Sequence, residues 1–202
     1  MRPRALAAAA GLGVLGAALW WRNNPSACPY GQRFWIEAPH PLITRDRLNE
    51  TLAPQPGEHL LEVGPGTGYY TLDAAGWVSP GGSIEILDLQ PEMLDHTTGR
   101  AAERGIDNIS PTEADATQMP FEDESFDGAF LTAVLGEIPD QETALRELRR
   151  VLKPGGRLVV GELFGDPHFV SPGRLRERAE SAGLRFEGRT GPWFGSFSRF
   201  SR

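Results

Sequence analysis

From Gly57 onward, short apolar runs alternate with stretches whose apolar positions recur at helical spacing. The runs His59–Val63, Ser83–Leu89, Ile109–Glu113, Gly128–Val134 and Arg157–Leu163 read as strands. The first is largely apolar after the polar His59, as a strand covered on both faces is, and the third is weak. The clearest helix lies between the last two of these strands. Asp140 is placed to cap it, Leu145, Leu148 and Leu152 form a stripe at i, i+3, i+7, and Lys153-Pro154-Gly155-Gly156 stops it. Other helices begin near Tyr69, after Pro91 and at Ser171, where Pro172 occupies the first turn and Gly183 marks the end. Two final runs, Leu184–Arg189 and Ser196–Phe200, joined by Gly191-Pro192-Trp193-Phe194-Gly195, predict a hairpin. The alternation predicts an α/β fold: a doubly wound, mostly parallel, seven-stranded sheet with an antiparallel pair at its end.

The first residues break this pattern. Ala5–Trp21 is an apolar run led by Arg2 and Arg4 and closed by Trp20, Trp21 and Arg22. As a helix it spans roughly 25 Å, the lower limit for crossing a hydrocarbon layer. Paired tryptophans before an arginine suit an interfacial anchor. A cleavable leader fits less well, because Ala17 and Ala18 run straight into Leu19 and Trp20. The expected organisation is an N-terminal apolar membrane-anchor helix over residues 1–22, a proline-containing linker and cap segment over 23–56, and one domain over 57–202. Within the linker, Thr44–Leu52 predicts a short helix with Leu48 and Leu52 on one face, lying over a cleft or packed on the sheet.

Composition narrows the chemistry. A net charge of −7 opposes binding to a phosphate backbone, so no nucleic-acid partner is expected. Arg174, Arg176 and Arg178 are interleaved with Glu177 and Glu180 and read as a solvated helix face. Cys28 is the only cysteine, which excludes an internal disulfide and a cysteine zinc cluster; it reads as a linker residue, and no metal site is expected.

Glu62-Val63-Gly64-Pro65-Gly66-Thr67-Gly68 follows the first strand and opens a helix. Glycines there let the chain turn sharply and let a ligand approach the backbone. The glycines are evenly spaced, unlike the dinucleotide fingerprint, whose last glycine is three residues on. Asp88, at the end of the second strand, is placed to accept hydrogen bonds from ribose hydroxyls, which points to adenosine without choosing a cofactor. Asp115 either meets an adenine amine or begins the loop to Pro120.

Together with Pro91-Glu92-Met93-Leu94, Met119-Pro120-Phe121, Ser125-Phe126-Asp127 and Arg150–Gly156, these residues resemble class I S-adenosylmethionine-dependent methyltransferases. The resemblance covers roughly residues 56–161 and is greatest to the ubiquinone/menaquinone-biosynthesis (methyltransferase type 11) group. It implies a Rossmann-like methyltransferase fold and S-adenosyl-L-methionine as cofactor. It further implies that Glu62 approaches the methionine amino group, with the Gly64 and Gly66 backbone and the Gly68 turn beside it. By the same implication Asp88 takes the ribose, Leu89 and Met93 flank the adenine, Asp115 and Ala116 meet its edge, and Thr132 lies near the sulfonium.

A general base is required only if the acceptor must lose a proton. Glu137, Glu162 and His168 follow the fourth and fifth strands, whose carboxyl ends face ligands in such sheets, and are the candidates. The segment Leu135-Gly136-Glu137-Ile138-Pro139-Asp140 lacks the Asn/Asp-Pro-Pro-aromatic motif often found in enzymes that methylate amino groups of bases or glutamine. The apolar N-terminus motivates a small, lipid-soluble acceptor, such as a quinone precursor or a lipid, with Trp193, Phe194 and Phe197 either lining an apolar entrance or packing in the core. An intracellular cofactor places the domain in the cytoplasm, membrane-anchored or, alternatively, soluble. A non-catalytic adenosine-binding module and a nicotinamide-dependent oxidoreductase are the competing readings.

Overall fold

The structure, a computed structural model, describes residues 25–35 and 40–202. The proposed anchor over residues 1–22 lies outside them; among the described residues no helix is long and apolar enough to cross a membrane.

Among the described residues seven strands form one sheet, in the order β3-β2-β1-β4-β5-β7-β6. They are β1 (His59–Val63), β2 (Ser83–Asp88), β3 (Ile109–Glu113), β4 (Phe126–Thr132), β5 (Leu152–Leu163), β6 (Arg185–Thr190) and β7 (Gly195–Ser201). The first five run parallel, and β7 is antiparallel to both its neighbours, β5 and β6. The helices are α1 (Arg45–Leu52), α2 (Thr71–Trp77), α3 (Pro91–Glu103), α4 (Gln141–Val151) and α5 (Pro172–Ser181).

Alternation along the strands divides the core in two. Leu61, Ala129, Leu131 and Val160 point to the face covered by α4 and α5. Leu60, Ile84, Phe130 and Val159 point to the opposite face, under α1, α2 and α3. Helix α4 shows why pattern and packing agree: Leu145 and Leu148 are fully buried, each contributing about 1.5–3 kcal/mol, and the Asp140 carboxylate accepts from the Thr143 N–H at 3.0 Å.

Two expected boundaries move for one reason. Strand β4 begins at Phe126 rather than Gly128, and β5 begins at Leu152 rather than Arg157. Phe126 pairs with Leu152 and Gly128 with Arg157, so Lys153-Pro154-Gly155-Gly156 is a bulge inside the strand and not only a helix stop. Leu152, expected in the helical stripe, is the first strand residue. The helix after the glycine loop starts at Thr71, past a turn over Gly66–Tyr70.

Helix α1 is capped by Thr44, whose hydroxyl accepts from the Arg47 N–H at 3.3 Å. It packs on the sheet instead of covering a cleft: Leu48 and Leu52 are fully buried, and Arg199 of β7 donates to the Thr51 carbonyl at 2.8 Å.

Candidate active site

Strand order reverses between β1 and β4, and the carboxyl ends of β1, β2, β4 and β5 surround a cavity of about 620 Å³. Ligands in open α/β sheets bind at this switch point.

On the β1–β2 side the wall is largely backbone. Gly64 and Gly66 line the cavity with φ of 68° and 55°. A Cβ on Gly64 would also lie 2.5 Å from the Val134 side chain, so both conformation and space require glycine. Gly68 sits outside the lining; its φ is 77°, and a Cβ there would meet Thr97 of α3 at 2.9 Å. Thr97 in turn donates to the Gly66 carbonyl at 3.1 Å, tying the loop to that helix. Glu62 is buried beneath the loop, also outside the lining, and accepts from the Thr71 hydroxyl at 2.5 Å. Its carboxyl is pushed up to about 8 by burial.

Asp88 faces the cavity, where one carboxylate oxygen accepts from the Gln90 N–H at 2.9 Å. Burial raises its pKa against the pull of the Gln90 and Leu89 N–H groups. Met93, buried, and Leu89, exposed, both line the cavity. Asp115 and Ala116 close the adjoining edge. One Asp115 oxygen is shared by the Thr117 N–H and hydroxyl, at 2.8 and 2.7 Å, so this residue does begin its loop while still facing the cavity.

On the β4–β5 side the wall is made of side chains. Thr132 lines it, and its buried hydroxyl has no hydrogen-bond partner among the described residues. Ala133 follows with φ of 56°, a left-handed conformation unusual for a residue with a side chain, held by its N–H donating to the Gly161 carbonyl at 2.8 Å. The chain then turns through a 3-10 segment, Leu135–Glu137, that aims Glu137 at the cavity. Burial pushes this carboxyl up to about 8, with the Asp166 and Asp88 charges adding to the shift. His168 also lines the wall, and its N–H donates to Asp166 at 2.6 Å. Glu162 does not line it. It is buried behind the loop that follows β5, where one oxygen accepts from the Val170 N–H at 2.9 Å and the other has no partner among the described residues.

Several lining residues carried no readable signal. Cys28, expected to be a linker residue, lies in the wall, and its N–H donates to Glu137 at 3.1 Å. Gln90 ties the same segment down, donating to the Cys28 carbonyl at 3.0 Å and accepting from the Tyr30 N–H at 3.1 Å. Residues 27–32 thereby strap the cavity between β2 and β4. Phe197 is fully buried in the core, whereas Trp193 and Phe194 are exposed and outside the lining.

An adenosyl cofactor with an amino-acid tail requires a side-chain-free backbone turn, an acceptor for ribose hydroxyls and an apolar slot for the base. Gly64 and Gly66, Asp88, and Leu89 with Met93 supply these in one cavity, so the residues present fit S-adenosylmethionine.

Comparison with known proteins agrees. The solved structure of a S-adenosylmethionine-dependent methyltransferase from Aquifex aeolicus superposes with a TM-score of 0.79 over 87% of this chain and 98% of that one, at 19% identity, which speaks for the fold. The [4+2]-cyclase SpnF superposes with a TM-score of 0.66 at 27% identity, covering 72% of this chain and 57% of that one. In sequence, the chain is 39% identical to a ubiquinone/menaquinone biosynthesis C-methyltransferase from Cellvibrio japonicus, over 55% of this chain and 45% of the relative. It is 34% identical to a demethylmenaquinone methyltransferase from Staphylococcus aureus, over 59% and 49%. The chain thus spans about half the length of these relatives. The model of the ubiE/COQ5 methyltransferase family matches residues 39–168, more than half of the sequence, and the chain belongs to that family of class I S-adenosylmethionine-dependent methyltransferases.

Proposed function

We propose that this protein transfers a methyl group from S-adenosylmethionine to carbon of a small, lipid-soluble acceptor of the quinone-precursor type. The observation that carries this reading is that the glycine loop, Asp88 and Glu137 all face one cavity. When bound, the cofactor supplies an electrophilic methyl on a sulfonium, and the hard chemistry is its own. The chain's residues bind, orient and manage one proton. The Gly64 and Gly66 backbone holds the methionine portion of the cofactor and Asp88 its ribose, while Val134, Ile138 and Leu163 give the acceptor side an apolar wall. Fixing the two reactants in line is worth up to about 7–11 kcal/mol in favourable systems.

Methylating a ring carbon replaces C–H by C–CH₃, so one proton must leave. Glu137 is the carboxyl placed to take it from a phenolic hydroxyl, which makes the ring carbon nucleophilic; after methyl transfer the ring C–H proton shifts to that oxygen and restores the aromatic phenol. With a pKa of about 8 it is largely protonated at neutral pH, and turnover should climb as the pH passes that value. Glu162, behind the wall, positions the loop through Val170 and does not meet the acceptor.

Calorimetry with S-adenosylmethionine and with NAD tests the cofactor half; binding of NAD alone would overturn it. Incubation with methyl-labelled cofactor and a membrane extract tests the acceptor half, with label expected in the quinone fraction. The likeness to a cyclase favours one competing reading, a methyltransferase scaffold that binds its cofactor without transferring methyl. Tight cofactor binding with no labelled product in any extract would select that reading. For the apolar run Ala5–Trp21, a full-length protein recovered wholly in the soluble fraction without detergent would remove the anchor.

A further inference from the structure

Five large apolar side chains are exposed among the described residues: Phe34, Leu89, Phe164, Trp193 and Phe194. All of them belong to segments at the carboxyl end of the sheet. Leu89 follows β2, Phe164 follows β5, and Trp193 and Phe194 form the β6–β7 turn, which the pairing of Leu163 with Gly195 sets beside the end of β5. Phe34 sits in the 3-10 turn Tyr30–Trp35, held to the end of β2 through Gln90. This is the pole at which the cavity lies.

Three of the five make a connected patch. Phe164 meets Trp193 at 5.4 Å between ring centroids, Trp193 meets Phe194 at 5.6 Å, and Phe169 extends the row from Phe164 at 5.6 Å. The backbone beneath is fixed, because the Phe164 N–H donates to the Phe194 carbonyl at 2.9 Å. Phe164 lies between Leu163 and Gly165, which line the cavity, so the patch adjoins its rim. The chain reaches this pole from the apolar run Ala5–Trp21: the described residues begin at Pro25, and Ala27 and Cys28 already line the cavity.

We infer that this pole docks on a lipid bilayer, with Phe164, Trp193 and Phe194 seated at headgroup depth beside the cavity rim. Exposed aromatic rings gathered on one rigid surface suit the interface, where an apolar body is buried and the indole N–H stays wet. The net charge of −7 means that attraction to anionic lipid does not drive the contact. Insertion of apolar surface does, and salt leaves it intact. A bilayer-soluble acceptor then passes from the membrane to the cavity without crossing water. In purpose the docking rests on the acceptor proposed above; bilayer contact is measured without cofactor or acceptor, so the two fail separately.

The test uses the full-length protein with phosphatidylcholine vesicles whose acyl chains carry bromine, a contact quencher of indole. The emission difference between wild type and Trp193→Phe isolates this indole from the other tryptophans. It is expected to shift to the blue and be quenched, equally at about 0.5 M salt. Phe164→Ser/Phe194→Ser, which keeps Trp193, is expected to cut the fraction of quenched Trp193 roughly tenfold. An unquenched Trp193 in protein that floats with the vesicles would overturn the docking, leaving residues 1–22 alone to hold the membrane. So would failure to float, or quenching abolished by salt. A dimer in sedimentation that Phe164→Ser/Phe194→Ser dissociates would give the patch to a second copy instead.

Discussion

The cavity wall at the ends of β1 and β2 is made of backbone in left-handed turns and one strand-end carboxylate, whereas the wall at the ends of β4 and β5 is made of side chains, half-buried apart from the buried His168. The first is shaped by three glycines within five residues of one loop and by Asp88, which ends the next strand. The second is assembled from Thr132, Glu137, His168 and Cys28, brought together by sheet order and by contacts as distant as Cys28 with Glu137. A backbone site suits a cofactor whose shape is fixed. A side-chain wall can be re-lined without disturbing the backbone turn across the cavity from it.

Gly136→Ala should strain the side-chain wall most. A Cβ there would lie 1.8 Å from the His168 carbonyl oxygen, and the 3-10 turn and the loop after β5 must part. A loss of about 3 kcal/mol in urea unfolding is expected, with cofactor affinity kept in the folded fraction. An unchanged midpoint would mean the two segments are not in contact. Glu137→Gln should lower kcat about a hundredfold while calorimetric affinity for S-adenosylmethionine holds. Equal loss of both would merge the two halves into one. Asp88→Ala should do the converse, weakening cofactor binding roughly thirtyfold for the loss of charge-assisted hydrogen bonds worth about 2 kcal/mol. Affinity left untouched would put the adenosyl pocket elsewhere.

A pH series is expected to have a smaller effect. With Glu137 near 8 as the base, kcat/KM should rise about tenfold from pH 7 to pH 9 and then level off. A flat profile removes the proton-transfer role. Stability should run the other way. The raised carboxyl of Glu162 binds its proton in the folded state and releases it on unfolding, so its contribution is complete below its ordinary pKa and is lost as pH climbs through about 8. Glu162→Gln should flatten that slope in denaturant titrations. The smallest effect belongs to Thr132→Val. Removing a buried hydroxyl without a partner should leave stability unchanged or raise it by about 1 kcal/mol, and a clear drop would reveal a bond that the hydroxyl makes.

The same contrast explains what was readable in the sequence. Strand and helix order follow from local periodicity, and the glycine loop with its acid follows from short-range spacing; both survive in the fold. Lys153-Pro154-Gly155-Gly156 misled because proline and glycine mark a strand bulge as well as a helix end, and only the pairing of β4 with β5 tells them apart. Glu137 and His168 were reachable through their place after strands, but the same rule selected Glu162, whose side chain turns behind the wall. The strap of Cys28, Tyr30 and Gln90 left no pattern at all, since its hydrogen bonds join residues some sixty positions apart.

Strand β7 lies between β5 and β6, although the chain makes it after both. During synthesis the ribosome therefore delivers β6 before the strand that joins it to the sheet exists, and β5 meanwhile presents a bare edge. Only when the aromatic turn has folded back can the pair close the gap as a unit, with Phe197 filling the space beside Gly161. Translation that stalls between the two strands would leave that edge open to pairing with another nascent chain.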